Sequence, residues 1–136
     1  MIEYVRNVLG VEDADHEESS PEAERLAVTA LSCSLVGQEE AISIVPGTRA
    51  AQLYRRGDAV EGFYCNYGVN PEYAARLEAG GLAVGGRSAD GEVRIVELPT
   101  HPFFMGTLFL PQVSSTPQAP HPILAGFVAA AARANA

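Results

Sequence analysis

Apolar residues at the start of the chain recur at helical spacing. Ile2, Val5, Val8 and Leu9 share one face and Gly10 follows as a stop, which predicts a helix over residues 1–9. Val11–Arg25 is polar and acidic and reads as a solvated surface loop. Leu26–Val36 alternates and is rich in β-formers, which predicts a strand from Val28 to Leu35. A second strand is expected over Ala41–Val45, ended by the Pro46-Gly47 turn, and Thr48 is placed to cap a short helix over Arg49–Tyr54. The aromatic run Val60–Tyr67 predicts a third strand. Asn70 as cap and Pro71 at the first turn open a helix that runs through Leu77 to Glu78 and stops at Gly80-Gly81.

The next stretch carries the densest pattern. Leu82–Gly86 reads as a strand, and Ala89-Asp90-Gly91 as a hairpin turn into a strand over Glu92–Leu98. In that strand Val93, Ile95 and Glu97 alternate with Arg94, Val96 and Leu98, so both faces carry apolar residues. Pro99 and Pro102 force a turn. Phe103–Phe109 is then nearly continuous apolar sequence and predicts a buried strand that emerges at Leu110-Pro111-Gln112. Ends of sheet strands are where α/β proteins place chemistry, which makes Leu110 and Gln112 the first positions to inspect. A Ser-, Thr- and Pro-rich loop over Val113–Pro122 leads to a last helix, Ile123–Ala134.

Composition narrows the partners. With 136 residues the chain holds one core, and a formal net charge of -8 argues against nucleic acid or an anionic membrane surface as partner. No apolar run approaches the roughly 20 residues needed to span a bilayer, and the first residues lack a secretory pattern. Cys33 and Cys65 are the only cysteines, which favours a reducing, cytoplasmic compartment. No glycine-rich phosphate loop and no zinc-spaced cysteine pair occurs, so neither cofactor nor metal is expected. His16 among Glu17 and Glu18 lacks the spacing and second histidine of a metal site. His121 reads as a residue at the start of the last helix.

Several segments, in one order, resemble the class I glutamine amidotransferase domain of CTP synthase. V-E-L-P-T-H-P-F-F, the stretch from Asn70 to Gly91, and H-P-I-L-A-G-F follow the family's patterns closely. Among such proteins the chain is most similar to those related to the CTP synthase C-terminal region. The resemblance implies an α/β fold, the C-terminal part of a flavodoxin-like amidotransferase sandwich with a mixed sheet, and one N-terminally truncated domain over residues 1–136. The family's F-H-P-E supplies the His and Glu of a Cys-His-Glu triad. Phe109-Leu110-Pro111-Gln112 stands there, so Leu110 and Gln112 occupy those positions. The helix at residues 1–9 resembles the one after the family's catalytic cysteine, which places the elbow upstream of Met1. Glu18 falls on the family's glutamate that helps hold the substrate glutamine, where a carboxylate suits an α-ammonium group. The family's basic strand R-H-R-H-R-Y becomes Gly62-Phe63-Tyr64-Cys65-Asn66-Tyr67, which implies lost affinity for the glutamine carboxylate and puts Tyr64, Cys65 and Asn66 on the ligand cleft. Three readings stay open: a ligand- or partner-binding domain without glutaminase activity, a thiol-based enzyme or redox protein centred on Cys65, and a fragment of a longer gene product. A homo-oligomer or a complementing subunit is the expected assembly, because missing strands would expose a sheet edge.

Overall fold

The computed structural model describes residues 1–134. Helix α1 (Ile2–Asn7) leads through β1 (Asp15–His16) and β2 (Leu26–Ala30) to β3 (Gln38–Ile44) and α2 (Arg49–Tyr54). Then come β4 (Asp58–Phe63), β5 (Tyr67–Val69), α3 (Pro71–Ala79), β6 (Ala83–Arg87) and β7 (Val93–Glu97). β8 (Met105–Thr107), α4 (Pro111–Ser114) and α5 (Pro122–Ala134) complete the order. The expected α/β architecture is present, as two sheets with helices packed on them.

The smaller sheet has the order β1-β2-β5, parallel between the first two strands and antiparallel between the last two. The larger has the order β4-β3-β6-β7-β8 and is antiparallel throughout. It curls. Phe109, just past β8, bridges back to Phe63 at the end of β4, and the Leu110 N–H donates to the Gly62 carbonyl at 3.0 Å.

Two apolar clusters hold these layers. Val5, Tyr73, Leu77, Leu82, Val93 and Val96 pack under α1 and α3. Ile42, Ala50, Phe63, Ile95, Phe109 and Ile123 pack under α2 and α5. β7 feeds both clusters, as its doubly apolar pattern predicts. Among the described residues no helix is long and apolar enough to cross a membrane.

The structure corrects several expected boundaries. The strand expected to reach Leu35 ends at Ala30. Beyond it, the N–H groups of Leu31 and Leu35 donate to the carbonyls of Asn66 and Cys65 at 2.8 and 3.1 Å, outside any regular ladder. The strand expected over Val60–Tyr67 is two strands in different sheets, and Tyr64-Cys65-Asn66 is the crossing between them. A change of sheet leaves the alternation of side chains undisturbed, so the sequence carries no sign of it. The acidic loop contains β1, whose two residues are too few to show a period. Only Met105–Thr107 of the apolar run Phe103–Phe109 is regular strand. Leu110 and Gln112 do not end a strand: Leu110 is the cap residue of α4, and Gln112 is exposed within it.

Candidate functional site

Where the crossing between β4 and β5 parts from β8, a cavity of about 500 Å³ opens. The crossing contributes Tyr64, Cys65 and Asn66, the β8 segment Gly106 and Thr107, and the start of the smaller sheet His16 and Glu18. Four residues singled out from sequence thus meet: Glu18, Tyr64, Cys65 and Asn66. Leu110 and Gln112 are not among its walls.

Local bonding fixes this wall. The Cys65 thiol, partly buried, donates to the Leu108 carbonyl at 3.4 Å. Cys65 and the exposed Cys33 are both free thiols, so they form no disulfide. The Glu18 N–H donates to His16 Nδ1 at 3.1 Å. That bond needs the lone pair on Nδ1, so in the neutral ring the proton sits on Nε2. The same ring packs against Tyr67 with centroids 5.0 Å apart. Next to it, the His16 N–H donates to Asp15, and with the Ser20 hydroxyl it holds the Asp15 carboxyl below the usual range.

Arg94 is also on the wall, yet the residue is 4% exposed and its guanidinium is committed elsewhere. Its Nε donates to Glu40 and its Nη2 to Glu92, both at 2.8 Å. Burial works against the charge, but the bonds to the two carboxylates outweigh it and the Arg94 pKa lies above the usual value.

A second polar cluster lies in the other core. Tyr54, Glu61 and His121 are all buried. The Tyr54 hydroxyl donates to Glu61 Oε1 at 2.5 Å, and His121 Nε2 meets the same oxygen at 3.0 Å. The Ile123 N–H donates to His121 Nδ1, so Nε2 carries the proton and donates to Glu61. Burial, then the Glu61 carboxylate, pushes the Tyr54 pKa well above its usual value. His121 does precede α5, as expected, but nothing in the sequence around it points to its partners. They come from α2 and β4 and share no local pattern with it.

No protein-family model matches the chain. The CTP synthase of Aeropyrum pernix is 38% identical over 144 residues, covering 98% of this chain and 27% of that protein. The CTP synthase of Pyrobaculum calidifontis is 37% identical over 141 residues, with 96% and 27% covered. The solved glutaminase domain of Trypanosoma brucei CTPS with bound acivicin superposes with a TM-score of 0.90 at 31% identity, over 97% of this chain and 55% of that chain. This chain is homologous to the glutaminase domain of CTP synthase. A Thermoplasma acidophilum protein named after GMP synthase matches with a TM-score of 0.60 at 16% identity, over 79% of this chain and 49% of that chain, and shares the fold alone. The chain spans 27% of the length of these curated CTP synthases.

Proposed function

We propose that this glutaminase-type domain binds a small ligand in the cavity between its sheets and does not itself hydrolyse glutamine. Its lineage is that of CTP biosynthesis, and two free thiols suit a reducing cytoplasm. The observation that carries the reading is the pair Leu110 and Gln112. The resemblance sets them at the triad His and Glu: an isobutyl group cannot accept and return a proton near pH 7, and a neutral amide supplies no carboxylate to orient a base. Cys65, the thiol on the cavity wall, has a carbonyl as its bonded partner instead of a base.

The test is ammonia release from glutamine by the purified chain. No release above a blank is expected, and Leu110→His with Gln112→Glu should not restore it, since those changes supply no nucleophile. Turnover that acivicin abolishes would overturn the proposal.

The domain is further proposed to pair with a second copy of itself. β8 ends the larger sheet, and Phe104 and Phe127 beside it are exposed apolar side chains. Light scattering should give twice the monomer mass, and a monomer at micromolar concentration would rule the pairing out.

A further inference from the structure

We propose that the outer edge of β8 takes up an extended polypeptide segment as an added strand, one whose consecutive residues are apolar on both faces. This goes beyond the readings above and rests on neither, although a pair joined at β8 would give up that edge to the segment.

Backbone bonding carries the proposal. The Leu98 N–H donates to the Phe104 carbonyl at 3.1 Å, and the Leu108 N–H to the Arg94 carbonyl at 3.0 Å. With Val96 opposite Gly106, the alternation of an antiparallel ladder turns the backbone groups of Phe104, Gly106 and Leu108 toward β7. The N–H and C=O of Met105 and Thr107 therefore point to the other side, where no hydrogen bond reaches them among the described residues. The chain's own path leaves them so. Phe109 still bridges to Phe63, but after Phe63 the chain departs for the smaller sheet instead of running on beside β8. Sheet edges are commonly guarded by a charge or a proline, and the run Phe103–Phe109 has neither.

Room for side chains decides what kind of strand fits. Successive residues of an added strand point to opposite faces of the sheet. On one face the cavity of about 500 Å³ lies against Phe104, Gly106 and Leu108. On the other, a hollow of about 320 Å³ separates Met105 and Thr107 from Ile123, Leu124 and Phe127 of α5. Phe104 and Thr107 border both spaces, so the two meet at β8. A strand with one polar face would bury it against α5 or against Val93 and Val96 in the cavity, without partners. A run of consecutive apolar residues avoids that cost, and main-chain bonds to Met105 and Thr107 set its line.

The probe is the capped heptapeptide Lys-Val-Ile-Val-Ile-Val-Lys, whose end charges suit a chain of net charge -8. Amide hydrogen exchange on the full chain is read residue by residue. Without peptide, Met105 and Thr107 should exchange quickly and Gly106, paired to Val96, slowly. Saturating peptide should slow Met105 and Thr107 at least about tenfold. The same peptide N-methylated at its central residues keeps every side chain and loses those N–H groups, so it should bind at least about tenfold more weakly. Equal affinity of the N-methylated peptide would mean that apolar filling alone holds it, and would overturn the proposal. So would protection gained at Tyr67 and Val69 of β5 in place of β8, or no binding of the heptapeptide at millimolar concentration.

Discussion

Cys65 sits at the boundary between inert and reactive thiols. Its sulfur is partly buried and tied to the Leu108 carbonyl, but it faces a cavity open to small molecules. Reactivity follows access of the thiolate. In native protein, iodoacetamide should therefore modify exposed Cys33 first and Cys65 more slowly, yet Cys65 well before global unfolding. Mass spectrometry on Cys33→Ser, with one thiol left, reads the rate directly. Labelling of Cys65 only at the unfolding rate would remove the thiol-enzyme reading. Tyr54 makes a different residue-scale prediction. Its folded pKa is raised above the unfolded value near 10, so the unfolded state loses its proton first as pH rises. Stability contributed by the neutral hydroxyl is complete below about pH 10 and declines above it. Tyr54→Phe should flatten that alkaline decline in urea unfolding while lowering stability at pH 7, since it leaves Glu61 one donor short.

Among the elements, α2 shows how a short helix is held by a distant strand. Its first N–H groups have no partners within the helix. Thr48 Oγ1 accepts from Ala51 at 3.1 Å, and the Glu97 carboxylate of β7 accepts from Arg49 at 2.7 Å and Ala50 at 3.0 Å. Glu97 is 3% exposed, so its charge is stabilised by these bonds and by the positive end of the helix. Glu97→Gln should cost about 1–3 kcal/mol, because the amide offers a single acceptor and turns an NH₂ toward an N–H. Thr48→Ala should cost about 1 kcal/mol. Urea midpoints would check both. The approach of α2 also needs Gly85. A Cβ there would lie 3.1 Å from the Ala50 Cβ and 3.2 Å from Glu97 Oε2, so Gly85→Ala should push the helix off its acceptor.

At the scale of the whole molecule, Arg94 ties together three neighbouring strands of the larger sheet. It reaches from β7 to Glu40 on β3, with β6 lying between those strands in the sheet order. Its guanidinium also stacks 5.8 Å from the Phe63 ring centroid. Breaking a buried pair from one side costs roughly 3–5 kcal/mol when the orphaned charge stays buried. Here Glu40 and Glu92 keep 26% and 28% of their side-chain surface exposed and can regain water, so Arg94→Met should fall below that range. Adding Glu40→Gln and Glu92→Gln should then recover part of the loss. Denaturant midpoints of the single and triple variants would check this, and no recovery would mean that the charges left behind are not what the single variant suffers from.

The sequence by itself determined what depends on neighbours in the chain. The caps Thr48 and Asn70, the first-turn Pro71, the α2 span and the doubly apolar β7 are local matters of hydrogen-bonding side chains, fixed φ and side-chain period, and they are where the pattern put them. The resemblance to the CTP synthase glutaminase domain was legible for the same reason, since its motifs are contiguous runs. Tertiary structure alone decided which strands share a sheet, because alternation reports that a face is buried and not what buries it. Hence Val60–Tyr67 looked like one strand and is two. It also decided the sites. The Glu97 carboxylate meets Ala50 from 47 residues away, and His121 meets Glu61 from 60 away. Such pairs depend on elements far apart in the chain lying side by side. The cavity exists because the chain leaves the larger sheet after Phe63 and enters the smaller at Tyr67, opening a gap that no local preference encodes.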